Sequence, residues 1–135
     1  MLSRPPATQG LHHVALFVRK LDECLNFYTQ LLGMQVEWQP DADNYYLTSG
    51  TDNLALHRLK TVASPATPQR LDHIGFIIRE PEWVDLWYAY LKEQGVPIKT
   101  EPKTHRDGAR SFYCADPDGT AVQIIYHPPL VYKDS

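Results

Sequence analysis

The feature that most constrains this chain is an internal repeat. Leu11-His12-His13-Val14-Ala15-Leu16-Phe17-Val18-Arg19 is echoed sixty residues later by Leu71-Asp72-His73-Ile74-Gly75-Phe76-Ile77-Ile78-Arg79. Self-similarity at such a period means that one supersecondary unit has been used twice. Both runs are short, apolar and rich in β-branched residues, which predicts buried strands. After the first run, Leu21, Cys24, Leu25, Tyr28, Leu31 and Leu32 recur at three- and four-residue spacing, with Gly33 placed as a C-terminal stop. After the second, Trp83, Leu86, Trp87, Tyr90 and Leu91 do the same, with Pro81 suited to a first helical turn and Gly95 to the stop. Three short strands are expected after each helix, near 34–39, 44–48 and 53–60 in the first half and near 96–101, 109–115 and 120–127 in the second. The plan is β-α-β-β-β twice, an α+β fold.

A length of 135 residues then reads as a single domain made of two half-domains. Module 1 spans about 10–60, a linker with Pro65 and Pro68 spans 61–69, and module 2 spans about 70–128. A unit of about 60 residues is too small to be comfortable alone, so the modules are expected to share a core. Hydrophobic residues at 43% and charged residues at 21% exclude a disordered or fibrous chain. Thirteen basic against sixteen acidic residues, scattered, give a net charge of −3 and no footprint for nucleic acid or an anionic membrane. Small-molecule partners are expected instead. No apolar run approaches the roughly 18 residues of a spanning helix, and the first ten residues lack a signal peptide's apolar core. Isolated Cys24 and Cys114 fit free thiols in a reducing compartment. A cytoplasmic location is expected.

Duplication pairs the histidines. His13 corresponds to His73, and an ungapped alignment of the last strands from Tyr46 and Phe112 sets His57 on Gln123. All four residues can offer a lone pair to a metal, and imidazole is the commonest protein ligand for first-row divalent ions. Strand alternation sets His13 on one face with Ala15 and Phe17, opposite His12, and sets His57 on one face with Ala55. The plainer alternative is that His13 and His73 are hydrogen-bonded histidines at strand ends and His57 a surface residue beside Arg58.

The chain resembles the vicinal oxygen chelate superfamily, which contains glyoxalase I, extradiol dioxygenases, methylmalonyl-CoA epimerase and the fosfomycin and bleomycin resistance proteins. The resemblance rests on Leu11 to Leu16, on Phe27-Tyr28 with Leu32-Gly33-Met34, on Leu71 to Phe76, and on Phe112-Tyr113-Cys114-Ala115-Asp116-Pro117-Asp118-Gly119. It implies paired βαβββ modules whose curved sheets form a cup around one divalent ion (Fe, Mn, Ni or Zn), in chains that usually form homodimers. Carried over by position, the implied metal ligands are His13, His57, His73 and Gln123, although a two-residue slip would put Ala55 in the His57 slot.

A narrower resemblance, to the extradiol dioxygenase signature, is carried by His105, Phe112, Tyr113, Asp116, Pro117 and Gly119, with departures at Lys103 and Gln123. It makes Tyr113 and His105 the acid–base candidates; the alternative is that Tyr113 packs the sheet and His105 is an exposed turn residue. Gln123 stands where a ligand Glu is expected. Its amide oxygen can coordinate a metal but cannot act as a base near neutral pH. The implied function is a metal-dependent enzyme acting on a small substrate with two adjacent oxygens, either dioxygenase-like or a glyoxalase-like lyase or isomerase. An isomerase without the Glu would need another base, and Glu37, Glu101 or a metal-bound hydroxide are the options. The competing function is a non-catalytic binding or resistance protein of the bleomycin-resistance type. It would hold a planar ligand among Trp38, Tyr45, Tyr46, Trp83, Trp87 and Tyr88.

Overall fold

The structure is a computed structural model and describes Arg4, residues 11–60 and residues 71–128; the expected linker at 61–69 lies outside the described residues. In the first half, β1 (His13–Val18) leads into α1 (Leu21–Asn26), then β2 (Gln35–Asp41), β3 (Asn44–Thr48) and β4 (Asn53–Arg58). In the second half, β5 (Ile74–Ile77) leads into α2 (Pro81–Glu93), then β6 (Lys103–Thr104), β7 (Arg110–Ala115) and β8 (Ala121–Tyr126). Each half builds its own four-stranded sheet, in the orders β1-β4-β3-β2 and β5-β8-β7-β6. The first strand of each half lies parallel to the last, because the intervening helix supplies the crossover that a parallel pair requires.

Alternation along the strands decides what is buried. Leu16, Val18, Leu54, Leu56 and Leu47 from the first sheet pack with Ile78, Phe112, Cys114, Val122 and Ile124 from the second in one core that also takes Leu21, Cys24, Phe27, Tyr28, Val84 and Leu91 from the helices. Residues of the opposite parity, His13, Ala15 and Phe17 on β1 and Gly75 and Ile77 on β5, are exposed. Each sheet therefore has a face covered by helices and a helix-free face.

Two local features depart from the expected plan. The stretch 96–101 is not a strand. It makes one isolated bridge, Ile98 to Cys114, and strand pairing resumes only at β6, because Pro97 and Pro102 cannot donate to a ladder. The first helix does not stay α-helical to Gly33 but continues from Asn26 into a π-helical turn, Phe27–Leu31, with Leu32 N donating to Phe27 O at 3.0 Å. Thr29 Oγ1 donates to Leu25 O at 2.6 Å, occupying a helix carbonyl, and the widened turn buries adjacent Phe27 and Tyr28 together. Gly33 and Gly95 end the two helices at φ +85° and +82°, as their positions in the sequence predict.

The Asp116-Pro117-Asp118-Gly119 turn joins the halves. Asp116 is buried, and its Oδ2 accepts from Tyr28 Oη at 2.8 Å while its Oδ1 accepts from the backbone N–H of Asp118 and Thr120. Asp118 Oδ1 accepts from the N–H groups of Arg19 and Lys20, at 2.8 and 3.0 Å, where the chain leaves β1. Both carboxylates of this motif thus hold module 2 to module 1.

Candidate metal and substrate site

The strand registers give the relation between the halves directly. Gln123 on β8 lies between Gly75 on β5 and Tyr113 on β7. In the first sheet the same central position, between Ala15 on β1 and Tyr46 on β3, is held by Ala55. Ala55 is therefore the counterpart of Gln123, and the two-residue slip is real. Tyr46 corresponds to Tyr113 rather than Phe112, which accounts for one residue. The β7–β8 turn has five residues against four between β3 and β4, which accounts for the other.

His13 pairs with Asn53, so His57 stands four residues farther along β4, about 13 Å by strand rise. Among the described residues, no three His, Cys, Asp or Glu side chains gather within one chain to hold a metal ion. The structure accordingly does not bring His13, His57 and His73 together. What it does bring together, on the helix-free face of the second sheet, is His73, Gln123 and Tyr113. The Tyr113 ring meets His73 edge-on with centroids 5.1 Å apart. The Gln123 amide oxygen lies 3.6 Å from the point where a β-carbon on Gly75 would stand, so the missing side chain at 75 leaves room for the amide over β5. His105 is exposed in the turn before β7, its Nε2 3.5 Å from the Oγ of Ser111, which stands two residues before Tyr113 on β7.

Three imidazoles share an arrangement that the sequence pattern does not announce. His13 Nδ1 donates to Asn53 Oδ1 at 2.7 Å, His73 Nδ1 to Asp72 Oδ2 at 2.7 Å, and His57 Nδ1 to Asn44 Oδ1 at 2.6 Å. A carboxylate or amide oxygen can only accept, so the proton of each neutral ring sits on Nδ1 and the lone pair on Nε2. Metal-binding histidines are held this way, the outer partner fixing both tautomer and ring orientation. By chemistry alone, two oriented imidazoles, His13 and His73, and one neutral amide oxygen, Gln123, suit a divalent ion, but His13 stands on the first sheet and Gln123, beside His73, on the second. Asn53, Asp72 and Asn44 are the residues that sequence reasoning missed. Only Asp72, adjacent to His73, offered a local signal.

The aromatic residues expected around a ligand divide between the two sides of the molecule. Trp38 and Tyr46 stack at 5.0 Å on the helix-free face of the first sheet. Trp83, Trp87 and Tyr88 lie instead on α2, and Tyr45 packs against the core.

A model of the Glyoxalase/Bleomycin resistance protein/Dioxygenase superfamily matches residues 10–124. The chain belongs to this superfamily. Within the superfamily it is similar to the metallothiol transferase FosB of Staphylococcus saprophyticus, at 28% identity over 116 residues that cover 86% of this chain and 76% of the relative. It is also similar to the glutathione transferase FosA of Serratia marcescens, at 32% identity over 120 residues covering 86% and 79%. Its fold matches the crystal structure of lactoylglutathione lyase from Agrobacterium tumefaciens with a TM-score of 0.75 at 20% identity, covering 96% of this chain and all of that one. Among the described residues no helix is long and apolar enough to cross a membrane.

Proposed function

We propose that this superfamily member is a divalent-metal enzyme that adds a thiol to a small electrophile carrying two adjacent oxygens, with His13, His73 and Gln123 as the protein's ligands. The observation that supports this most is the matched tautomer of His13 and His73, each with Nδ1 committed to an oxygen acceptor and Nε2 left as a donor atom. Imidazole nitrogen suits Zn, Fe and Ni, and amide oxygen suits Mn, so one divalent ion of this group is the cofactor. When bound, it supplies Lewis-acid polarisation of the chelated oxygens. The chain's own residues do the rest. Tyr113, in edge contact with His73, borders the place where the substrate would lie and can donate its hydroxyl proton to a substrate oxygen, while His105 beside Ser111 is the more remote acid–base candidate.

Gln123 decides among the chemistries of the family. A neutral amide leaves the ion's charge uncompensated, which favours polarisation of an oxygen-rich anionic substrate. It cannot take up a proton, which disfavours an isomerisation that uses the metal ligand as base. Addition of an external nucleophile fits better, and the relatives named as thiol and glutathione transferases point to a thiol. Gln123 also favours a second reading, sequestration without turnover, since a site with one charge fewer holds its ligand or metal without the usual acid–base partner.

The same reading makes the protein a homodimer acting in the cytoplasm on a small molecule. The helix-free faces expose Phe17 at 70%, Trp38 at 58% and Ile77 at 43%. Pairing module 1 of one copy with module 2 of another would cover these side chains and bring His13 to His73 and Gln123. A mixture of His13→Ala and His73→Ala proteins tests this. If sites form between copies, mixed dimers regain one complete site and bind metal; if each site lies within a chain, the mixture binds no more than the separate variants.

Turnover is tested with glutathione and a panel of small electrophiles bearing adjacent oxygens, assayed with iron, manganese, nickel and zinc beside catechols and 2-oxoaldehyde thiol adducts. Metal-dependent thiol consumption is expected. Ring cleavage of a catechol, or isomerisation of the adducts without thiol consumption, would replace the proposal by the dioxygenase-like or glyoxalase-like chemistry, and ligand binding without turnover by the sequestration reading.

A further inference from the structure

His57 is the third oriented imidazole, and the metal centre proposed above does not use it. It lies on the same helix-free face as His13, two residues along β4 from Ala55, about 7 Å by strand rise. Its ring is half-buried, 5.8 Å from the Phe17 ring on β1 and 5.9 Å from the edge-on Tyr46 ring on β3, centroid to centroid.

The tautomer of His57 is fixed by a chain of groups rather than by one. Asn44 Nδ2 donates to both carboxylate oxygens of Asp41, at 2.8 and 3.0 Å. That commits the amide nitrogen to a partner which only accepts and turns Oδ1 toward His57 Nδ1, 2.6 Å away. The Nε2 lone pair is left for something else. His57 borders an open cavity of about 540 Å³ together with Phe17, Asn44 and Arg58. Nearby charges largely cancel: Asp43 accepts from Arg58 at 2.9 Å and lies 3.5 Å from Lys60, and Arg58 also reaches Asp22 at 3.8 Å. The cavity is thus not an anion cage, and the group best matched to its floor is a neutral hydrogen-bond donor.

We propose that the Asp41–Asn44–His57 chain is the thiol-activating subsite of this protein, where His57 Nε2 receives the S–H proton of the thiol substrate. This rests on the thiol-transfer reading above. The S–H bond breaks as Nε2–H forms, and the sulfur electron pair makes the new S–C bond. The displaced C–O electron pair stays on oxygen, which takes a proton from water, and the imidazolium returns its proton to water. No oxidant or reductant is consumed. Asn44 Oδ1 keeps its hydrogen bond to Nδ1 throughout and, with Asp41 behind it, stabilises the imidazolium. The arrangement supplies the base that Gln123 cannot be.

The competing view is that His57 only braces the β2–β3 hairpin. The two views separate on thiols of different acidity. In His57→Gln, kcat/KM for an alkyl thiol is expected to fall by about 10²–10⁴-fold, the usual contribution of a positioned base. For an acidic aromatic thiol, already ionised in solution, it should fall less than about fivefold, with metal content unchanged. Equal losses for both thiols, or none for either, would overturn the proposal. A companion titration does not need turnover: in the zinc-loaded protein, glutathione is expected to shift the ¹⁵N resonance of His57 Nε2 and not that of His12. If the protein consumes no thiol, the thiol-transfer reading fails by itself. An unmoved His57 resonance then removes the subsite as well, whereas a shift keeps it as a thiol-binding site.

Discussion

Removing one hydroxyl should cost more than most core truncations of that size. Tyr28 is fully buried on the π-helical turn, and its ring is held by Phe27, edge-on at 4.9 Å, and by Phe76 at 6.1 Å. Tyr28→Phe keeps those contacts and deletes only the 2.8 Å hydrogen bond to Asp116 Oδ2. Asp116 is 2% exposed, and its other oxygen already serves the N–H groups of Asp118 and Thr120. Among the described residues nothing else donates to Oδ2, so the variant leaves a buried carboxylate oxygen without its donor. Hydrogen bonds to charged groups contribute about 1.5–3 kcal/mol, and an unsatisfied buried acceptor costs a similar amount, so the expected loss is about 2 kcal/mol. For a chain of this size that lowers Tm by roughly 6–10 °C. Urea unfolding followed by tryptophan fluorescence should show a reduced midpoint with an unchanged m-value. A loss below about 0.5 kcal/mol would mean that water or a shifted partner replaces the hydroxyl, and would refute the clasp between the modules.

Further outcomes follow from the same structure. Gln123→Glu should tighten metal binding by about tenfold or more, because a charged oxygen replaces a neutral one beside the ion; competition with a chromogenic chelator reads this, and unchanged affinity would show that residue 123 does not touch the metal. Burial, reinforced by Asp116, pushes the Cys24 and Cys114 thiols up from 9 to about 12 each. Both should therefore resist thiol reagents in the native state and react only on unfolding, and rapid labelling under native conditions would contradict their placement in the core. Because the folded-state values are raised, the unfolded chain loses these protons first. Stability should be fully present below about pH 9 and fall as pH rises toward 12, by up to about 1.4 kcal/mol per pH unit for each thiol. Denaturant midpoints between pH 8 and 11 check the sign.

The parts of this fold legible in the sequence are those governed by local period. The strand–helix beginnings of both halves and their glycine stops follow from two- and 3.6-residue spacing. What escaped are features set by long-range geometry. A one-residue difference in turn length is invisible to an ungapped alignment, yet with the Tyr46–Tyr113 offset it moves His57 two positions away from the Gln123 slot. The Asp116-Pro117-Asp118-Gly119 motif was legible as a motif but not as a clasp, because Tyr28, Arg19 and Lys20 lie nearly a hundred residues away in the chain. The acceptors that orient the histidines were hidden for a related reason. Asn44 and Asn53 read as ordinary turn and strand-start residues until the sheet register sets them against His57 and His13. The π-helical turn has no sequence signature beyond the adjacent large residues that it buries.

The most direct test of the account is the metal content, by elemental analysis, of protein purified without added metal and of its His13→Ala and His73→Ala variants. Close to one divalent ion per site is expected in the parent protein, with loss of most of it in each variant. Stoichiometric metal retained in both variants would contradict the assignment of these two histidines, and with it the centre on which the proposed chemistry depends.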